Sequence, residues 1–453
     1  MSLLSRFPSY SAKPALAGAW GVVTYGELEG LIAKARHALT QLKLDRPTVF
    51  GLIGEHGPAS TAWLLACAEA GHFVAPLAGN AAEHPAKLAL INAQWIVAAE
   101  ALEWKLLPRV DEPSAHPLFQ QLRDQGSPGL ILFSSGTSGT PKAMVQDFGK
   151  LLASYESRHE SDLAMLALLG FDHIGGLNTL FNTLAAGSLL AVPASRSPAD
   201  VAATIARHHV AILPASPTFL NLLLAAGVTA DLASLRVITY GTEPMPESLL
   251  ARLKVAFPRV RFIQTFGTSE TGITRTASPE AGSTFLRFED PDLEWKVIDD
   301  ELWLRSRTQI AGYLNASNER FTADGWFRTG DLGRWDEDGF LWIDGRSKDL
   351  IISGGENIHP AELENVLADC PAIAESAVIG IEDAKWGESA CAVIVRQAGA
   401  QLDEAGVLAL FKDRLARYKH PRRVVFFEAL PKNAMGKVQK NLLRDLYRDC
   451  LKG

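Results

Sequence analysis

The sequence predicts an α/β protein of layered sheets and helices, and three observations carry the prediction. Apolar runs of strand length alternate with helix-patterned segments, as in Val49–Ile53 followed by Thr61–Gly71, which is the alternation of an α/β layer architecture. A length of 453 residues exceeds what one hydrophobic core supports, so two or three subdomains are expected. The composition, 47% hydrophobic and 21% charged, is that of a globular chain. It holds neither the apolar core of a signal peptide nor a run long enough to cross a bilayer. The net charge of −7 argues against broad nucleic-acid binding, which needs a basic face. Cys67, Cys370, Cys391 and Cys450 are scattered without a Cys-x-x-Cys pair, a pattern that fits a reducing compartment and a cytoplasmic location.

The elements follow in order. Residues 15–40 read as a hairpin leading into a helix, with Thr24 and Glu27 at capping-box spacing and Leu28, Leu31, Ile32, Ala35 and Leu39 at helical spacing. Val49–Ile53 is a buried strand and Thr61–Gly71 an apolar helix. Lys105–Pro128, polar and proline-bearing, reads as a surface connection. Leu130–Phe133 is a buried strand that empties into seven small residues, Ser134 to Thr140, and then Pro141-Lys142. Gly136 and Gly139 permit close backbone approach. The hydroxyls of Ser134, Ser135, Thr137, Ser138 and Thr140, with the charge of Lys142, suit a polyphosphate. No Gly-Lys-Ser/Thr closes the loop at the required spacing, so it is not a Walker A loop.

Further along, His173 lies at a strand-to-helix turn before Gly175-Gly176, where the backbone is expected to approach something closely. Val210–Pro214 is a strand, followed by Ala215-Ser216-Pro217-Thr218, a turn with a helix N-cap. Val237–Tyr240 is another strand, ending in Gly241-Thr242-Glu243-Pro244. A strand leads into Gln264-Thr265-Phe266-Gly267-Thr268-Ser269-Glu270, which supplies a ring face, a hydroxyl and a hard oxygen ligand in a short span. Asp331 ends the run Phe327-Arg328-Thr329-Gly330, which by itself reads as an ordinary turn. After Gly345-Arg346-Ser347-Lys348 and Gly354-Gly355 comes an α+β lobe: a helix at Pro360–Leu367, strands at Ala377–Ile381 and Ala390–Val395, and a helix at Val407–Leu415. Pro431-Lys432-Asn433-Ala434-Met435-Gly436-Lys437 closes the series.

The Ser134–Lys142 run resembles the phosphate loop of the adenylate-forming superfamily, which comprises acyl- and aryl-CoA synthetases, adenylation domains of peptide synthetases and beetle luciferases. Seven stretches resemble the family in the family's order, from the Thr-Tyr-x-Glu-Leu helix start to the Pro-x-x-x-x-Gly-Lys loop. The resemblance implies a large N-terminal AMP-binding domain, 1–347, and a small mobile α+β domain, 348–453, that swivels about Lys348. It implies ATP on the Ser134–Lys142 loop, with adenine against Gly241, Thr242, Glu243, Gln264, Thr265, Phe266, Gly267 and Thr268. Ser269 would contact the α-phosphate, Glu270 would hold Mg²⁺, Asp331 the ribose, and Arg346 the ribose or phosphate. His173 would line the acid pocket, Gly354 and Gly355 would meet the acyl-adenylate after rotation, and Lys437 would be the catalytic lysine.

The reaction so implied joins a small carboxylic acid to ATP, releases pyrophosphate, and transfers the acyl group to a thiol. Coenzyme A is the first expectation and the phosphopantetheine of an acyl carrier protein the second. An aryl or medium-chain acyl acid is favoured. A catalytically silent nucleotide-binding scaffold and a luciferase-like oxygenase are the readings of other classes. Ala143 and Ser138 depart from the family's usual Gly and Thr without removing a ligand.

Overall fold

The computed structural model describes residues 3–109, 112, 115–134, 141–228, 232–278, 284–432 and 437–450. Two seven-stranded sheets dominate the first three-quarters of the chain. In the first, Arg261–Gln264, Val237–Tyr240, Ile212–Ala215, Met165–Leu166, Leu190–Ala191 and Pro14–Gly18 run parallel in that spatial order. Gly21–Thr24 closes its edge antiparallel, as the hairpin expected from residues 15–40. In the second, Gly129–Ser134, Phe73–Leu77, Val49–Ile53 and Trp95–Glu100 are parallel. Lys142–Asp147 turns back beside Gly129–Ser134 in antiparallel register, Ser134 opposite Lys142.

Parallel strands must be covered on both faces, and the apolar helices do this. Residues from both sheets share one core with the helices Tyr25–Gln41, Pro58–Glu69 and Ile174–Ala186. Every residue from Pro58 to Ala68 is buried, as an all-round apolar helix between two sheets must be. Tyr25–Gln41 begins with the capping box expected of Thr24 and Glu27, both reciprocal bonds being present, an arrangement whose loss costs about 1 kcal/mol. The outer faces of the sheets carry two further cores, one around Leu213, Ile238 and Leu253 and one around Phe73, Phe119 and Val145.

A four-stranded antiparallel sheet, Leu293–Ile298, Glu301–Ser306, Phe327–Trp335 and Leu341–Arg346, follows. The chain then makes a short 3-10 turn, Ser347–Asp349, and enters a separate five-stranded sheet. There Gly387–Arg396 pairs along its length with Ile373–Asp383, and its other edge carries the hairpin Ile351–Ser353/Glu356–Ile358 at Gly387 and then Arg423–Phe426 in parallel. Helix Pro360–Ala368 covers one face and Lys440–Cys450 the other. A large N-terminal unit and a small C-terminal α+β lobe result, in line with the fold expected from sequence.

Two expectations need correction. Lys105–Pro128 is not bare connection, because Glu103–Pro108 pairs with Trp95–Glu100 and Pro117–Asp124 is a helix whose Phe119 and Leu122 are buried. The Val407–Leu415 helix is shorter and earlier, Glu404–Ala409, started by Asp403 accepting from the Gly406 N–H at 2.8 Å.

Candidate active site

The C-terminal ends of both large sheets and the turn into the small lobe converge on one region. Ser134 and Lys142 face each other at the mouth of the second sheet; Ser135, Gly136, Thr137, Ser138, Gly139 and Thr140 lie outside the described residues. Lys142 is held from both sides by Asn315: the Asn315 amide donates to the Pro141 carbonyl at 2.8 Å, and its Oδ1 accepts from the Ala143 N–H at 2.9 Å. The ammonium of Lys142 stands 5.7 Å from the centre of the Tyr313 ring, within cation–π range.

Glu270 is anchored twice. Its carbonyl accepts from the Ile310 N–H at 2.8 Å, and its Oε1 accepts from the buried Tyr313 hydroxyl at 2.6 Å. Among the described residues no cluster of three His, Cys, Asp or Glu side chains could hold a metal. A lone carboxylate suits a magnesium ion that keeps its waters and shares its other ligands with phosphate oxygens.

The turn after Val237–Tyr240 is tightly constrained. A Cβ on Gly241 would come within 2.6 Å of the Thr265 carbonyl, so that position is sterically restricted to glycine. Thr242 adopts φ +73°, a left-handed backbone that costs a β-branched residue energy. Glu243 accepts from the Thr218 N–H at 2.7 Å in the first turn of helix Pro217–Ala225, and burial pushes its carboxyl up despite that bond. Thr265 and Thr268 spend their hydroxyls internally, Thr265 on the Tyr240 carbonyl at 3.1 Å and Thr268 on Thr271 at 2.9 Å. Phe266 is half-buried with its ring edge-on to Phe288 at 5.7 Å. Gly267 is pinned by the opposing strand, and Ser269 sits at the hairpin turn before Glu270. The Gln264 Oε1 is buried with no hydrogen-bond partner among the described residues, an acceptor of the kind an exocyclic amine satisfies.

Asp331 and Arg346 stand opposite each other in strand register and form an ion pair at 3.0 Å, with Asp331 buried. Burial raises the Asp331 carboxyl, and the charges of Arg346, Lys437 and Arg320 oppose that rise. Lys437 comes from the small lobe on a loop closed by the bridge between Lys432 and Val438. Its ammonium donates to the Thr242 carbonyl at 3.4 Å. Burial depresses its pKa first, then Arg346, while Glu243 and Asp331 pull it back up. The structure thus brings Thr242, Glu243, Asp331, Arg346 and Lys437 into one electrostatic neighbourhood. Lys348 sits in the 3-10 turn between the lobes. Gly354 and Gly355 form a hairpin tip at φ +62° and +89°; a Cβ on Gly354 would strike Trp386, whereas one on Gly355 would meet nothing within 4 Å.

His173 precedes helix Ile174–Ala186 without capping it, and its Nε2 lies 3.7 Å from the Asp172 carboxylate. Burial lowers its pKa more than Asp172 raises it. The close approach expected at Gly175-Gly176 is made to the chain itself: a Cβ on Gly176 would fall 1.9 Å from the Gly170 carbonyl, and one on Gly175 would strike Leu169. That glycine pair therefore packs the helix onto its own loop and gives no support to a ligand at His173. Sequence reasoning missed Tyr313, Asn315 and Thr218. Tyr313 lies 43 residues from Glu270, and only the pairing of Gly312-Tyr313 with Met144-Val145 brings it to the site.

The description "AMP-binding enzyme" matches residues 6–314, and "AMP-binding enzyme C-terminal domain" matches residues 362–437. The chain is 32% identical to an indoleacetate–CoA ligase of Aromatoleum aromaticum over 94% of its own length and 93% of the relative's. Among solved structures it is similar to ATP-bound MatB from Rhodopseudomonas palustris, at 25% identity and a TM-score of 0.82, covering 99% of this chain and 100% of that one. It is also similar to the o-succinylbenzoate CoA synthetase of Bacillus subtilis in complex with its acyl-adenylate intermediate, at 26% identity, a TM-score of 0.79 and 98% coverage of each chain. With both family domains matched in order around this cleft, the chain belongs to the AMP-binding enzymes of the adenylate-forming superfamily.

Proposed function

We propose that the chain is an AMP-forming acid–CoA ligase. A carboxylate oxygen of the acid attacks the α-phosphorus of ATP, the bond to the leaving pyrophosphate breaks, and the thiolate of coenzyme A then attacks the acyl carbon and displaces AMP. The observation that carries this reading is the Lys437–Thr242 contact, which puts a cation from the small lobe beside Asp331, Arg346 and Glu243 of the nucleotide cleft. Two anions must meet at the α-phosphorus, so the cleft must cancel charge before bonds change. Lys142 provides positive charge from the large domain and Lys437 from the small lobe, and Ser269 donates to an α-phosphate oxygen. Glu270 would hold magnesium, which would supply neutralisation of the phosphate charge. Asp331 accepts from the ribose hydroxyls, with Arg346 fixing its second oxygen. Gln264 and the Gly241–Glu243 turn border the base, and Phe266 offers it a ring. No nucleophilic side chain is required.

The relatives act on indoleacetate and o-succinylbenzoate by name, which favours an aryl acid here, with His173 along the acid channel. A pyrophosphate-release assay over a panel of aryl and medium-chain acids tests the proposal. Acid-dependent release, followed by AMP formation that requires coenzyme A, is expected. AMP formation with a phosphopantetheinylated carrier protein but not with coenzyme A would reassign the acceptor. Absence of acid-dependent release across the panel would leave a nucleotide-binding scaffold.

A further inference from the structure

We infer that Tyr313 is a positioning residue for the metal–triphosphate complex. Its hydroxyl fixes the Glu270 carboxylate while its ring and its neighbour Asn315 fix Lys142, so one short strand sets the distance between the site's anionic and cationic phosphate partners. The inference rests on the reading of Glu270 as a magnesium ligand. The strand Gly312–Tyr313 pairs antiparallel with Met144-Val145, immediately past Lys142. Contacts reach the site from this strand and from Asn315 just beyond it. The Tyr313 hydroxyl donates to Glu270 Oε1 at 2.6 Å. The ring lies under the Lys142 ammonium at 5.7 Å. Two residues on, Asn315 bonds the peptide groups on either side of Lys142 at 2.8 and 2.9 Å. The Ile310 N–H adds a bond to the Glu270 carbonyl at 2.8 Å, so backbone and side chain of Glu270 are tied to the same segment.

A carboxylate with both oxygens unbound rotates about its last torsion and can take up either oxygen as the ligand. The phenol restrains that rotation by bonding Oε1 at 2.6 Å, so the carboxylate would be presented to the ion in one orientation. Tyr313 is itself held: it is buried, and its ring stands 6.1 Å from that of Phe321. Partners of this kind behind a ligating carboxylate commonly matter by roughly 10–100-fold in metal affinity.

The test uses Tyr313→Phe, which keeps ring and volume and removes only the hydroxyl. Manganese(II) binding to the full-length protein, measured by electron paramagnetic resonance with the non-cleavable α,β-methylene analogue of ATP, should weaken about tenfold. The magnesium concentration for half-maximal pyrophosphate release should rise in parallel, while the thermal midpoint and the KM for the acid stay unchanged. Asn315→Ala should raise the KM for ATP and leave manganese affinity in place; an equal loss of manganese affinity in that variant would overturn the assignment to the phenol. Glu270→Gln is the reference. If it weakens manganese binding and Tyr313→Phe does not, the inference fails while the Glu270 reading stands. If neither variant weakens binding, the Glu270 reading fails and takes the inference with it. A Tyr313→Phe loss accompanied by a lower thermal midpoint and a higher acid KM would make Tyr313 a packing residue, which also overturns it.

Discussion

Glu270 is bonded at its carbonyl and at its carboxylate by residues of its own domain, at 2.8 and 2.6 Å, whereas Lys437 reaches the same cleft from the other lobe and meets Thr242 at 3.4 Å. The first distance pair is that of firm hydrogen bonds and the last lies at the outer limit. One half of the site is therefore fixed in the large domain before any substrate arrives. The other half depends on how the small lobe is placed. The contrast extends to the glycine hairpin: with Lys437 at the cleft, the Gly355 position faces open space. We propose that the lobe exchanges these two elements by turning about Lys348, so that the lysine serves adenylation and the glycine loop serves thiol transfer.

The largest expected effect removes the donated half. Lys437→Ala should slow adenylation by at least roughly 10²–10³-fold, the scale of one preorganised electrostatic donor, and spare transfer to coenzyme A from synthetic acyl-adenylate. Separate assays of the two half-reactions check this, and equal loss in both would make Lys437 a general binding residue.

Acid should damage the fixed half. His56 and His72 are buried in the large domain, and burial lowers each to about 4 from an ordinary 6.5. The unfolded chain binds their protons near pH 6.5 and the folded one only near pH 4, so the stability they confer is present above about pH 6.5 and is lost as pH falls towards 4. Across that window each group is worth about 3 kcal/mol at most. Urea midpoints at pH 7 and 4.5 report the change, and His56→Gln should flatten the slope. A midpoint independent of pH would contradict the burial argument.

Restricting the turn between the lobes should separate the half-reactions in the opposite sense to Lys437→Ala. Lys348→Pro fixes φ near −65° and removes an N–H. It should still release pyrophosphate in a single turnover while thiol transfer slows by about tenfold or more. Unchanged transfer with impaired adenylation would place the hinge elsewhere.

The smallest effect concerns the point where the halves touch. Thr242 holds a left-handed backbone at φ +73°, so Thr242→Gly relieves strain and should stabilise the fold by about 1 kcal/mol, less the added unfolded-state entropy. Its carbonyl remains, so adenylation should change by no more than a few-fold. A lower thermal midpoint would show that the threonine side chain makes a contact that outweighs the strain.

The sequence was most informative where chemistry is local. Val49–Ile53 and Val237–Tyr240 are strands over the residues that their apolar runs predict, and Thr24 and Glu27 form the box that their spacing predicts. Asp331, picked for the ribose, and Arg346, picked separately for the ribose or phosphate, stand opposite each other because a hairpin places them in register. What the sequence hid depends on long-range pairing. Tyr313 has no neighbouring motif, and its hydroxyl gains meaning only when its strand lies beside Lys142–Asp147. Gly175-Gly176 misled for a related reason: a glycine pair marks a close approach without saying to what, and here the partner is Gly170. Glu243 gave no sign in sequence of the bond its Oε1 accepts from the Thr218 N–H, 25 residues away.

Oxygen tracing gives the most direct test of an acyl-adenylate made and consumed at this cleft. The enzyme is supplied with a substrate acid carrying ¹⁸O in its carboxylate, together with ATP and coenzyme A, and the released nucleotide is weighed by mass spectrometry. If the carboxylate attacks the α-phosphorus and the thiol then displaces AMP, one labelled oxygen leaves in AMP and none in pyrophosphate. Unlabelled AMP, or label in pyrophosphate or in orthophosphate, would contradict the account.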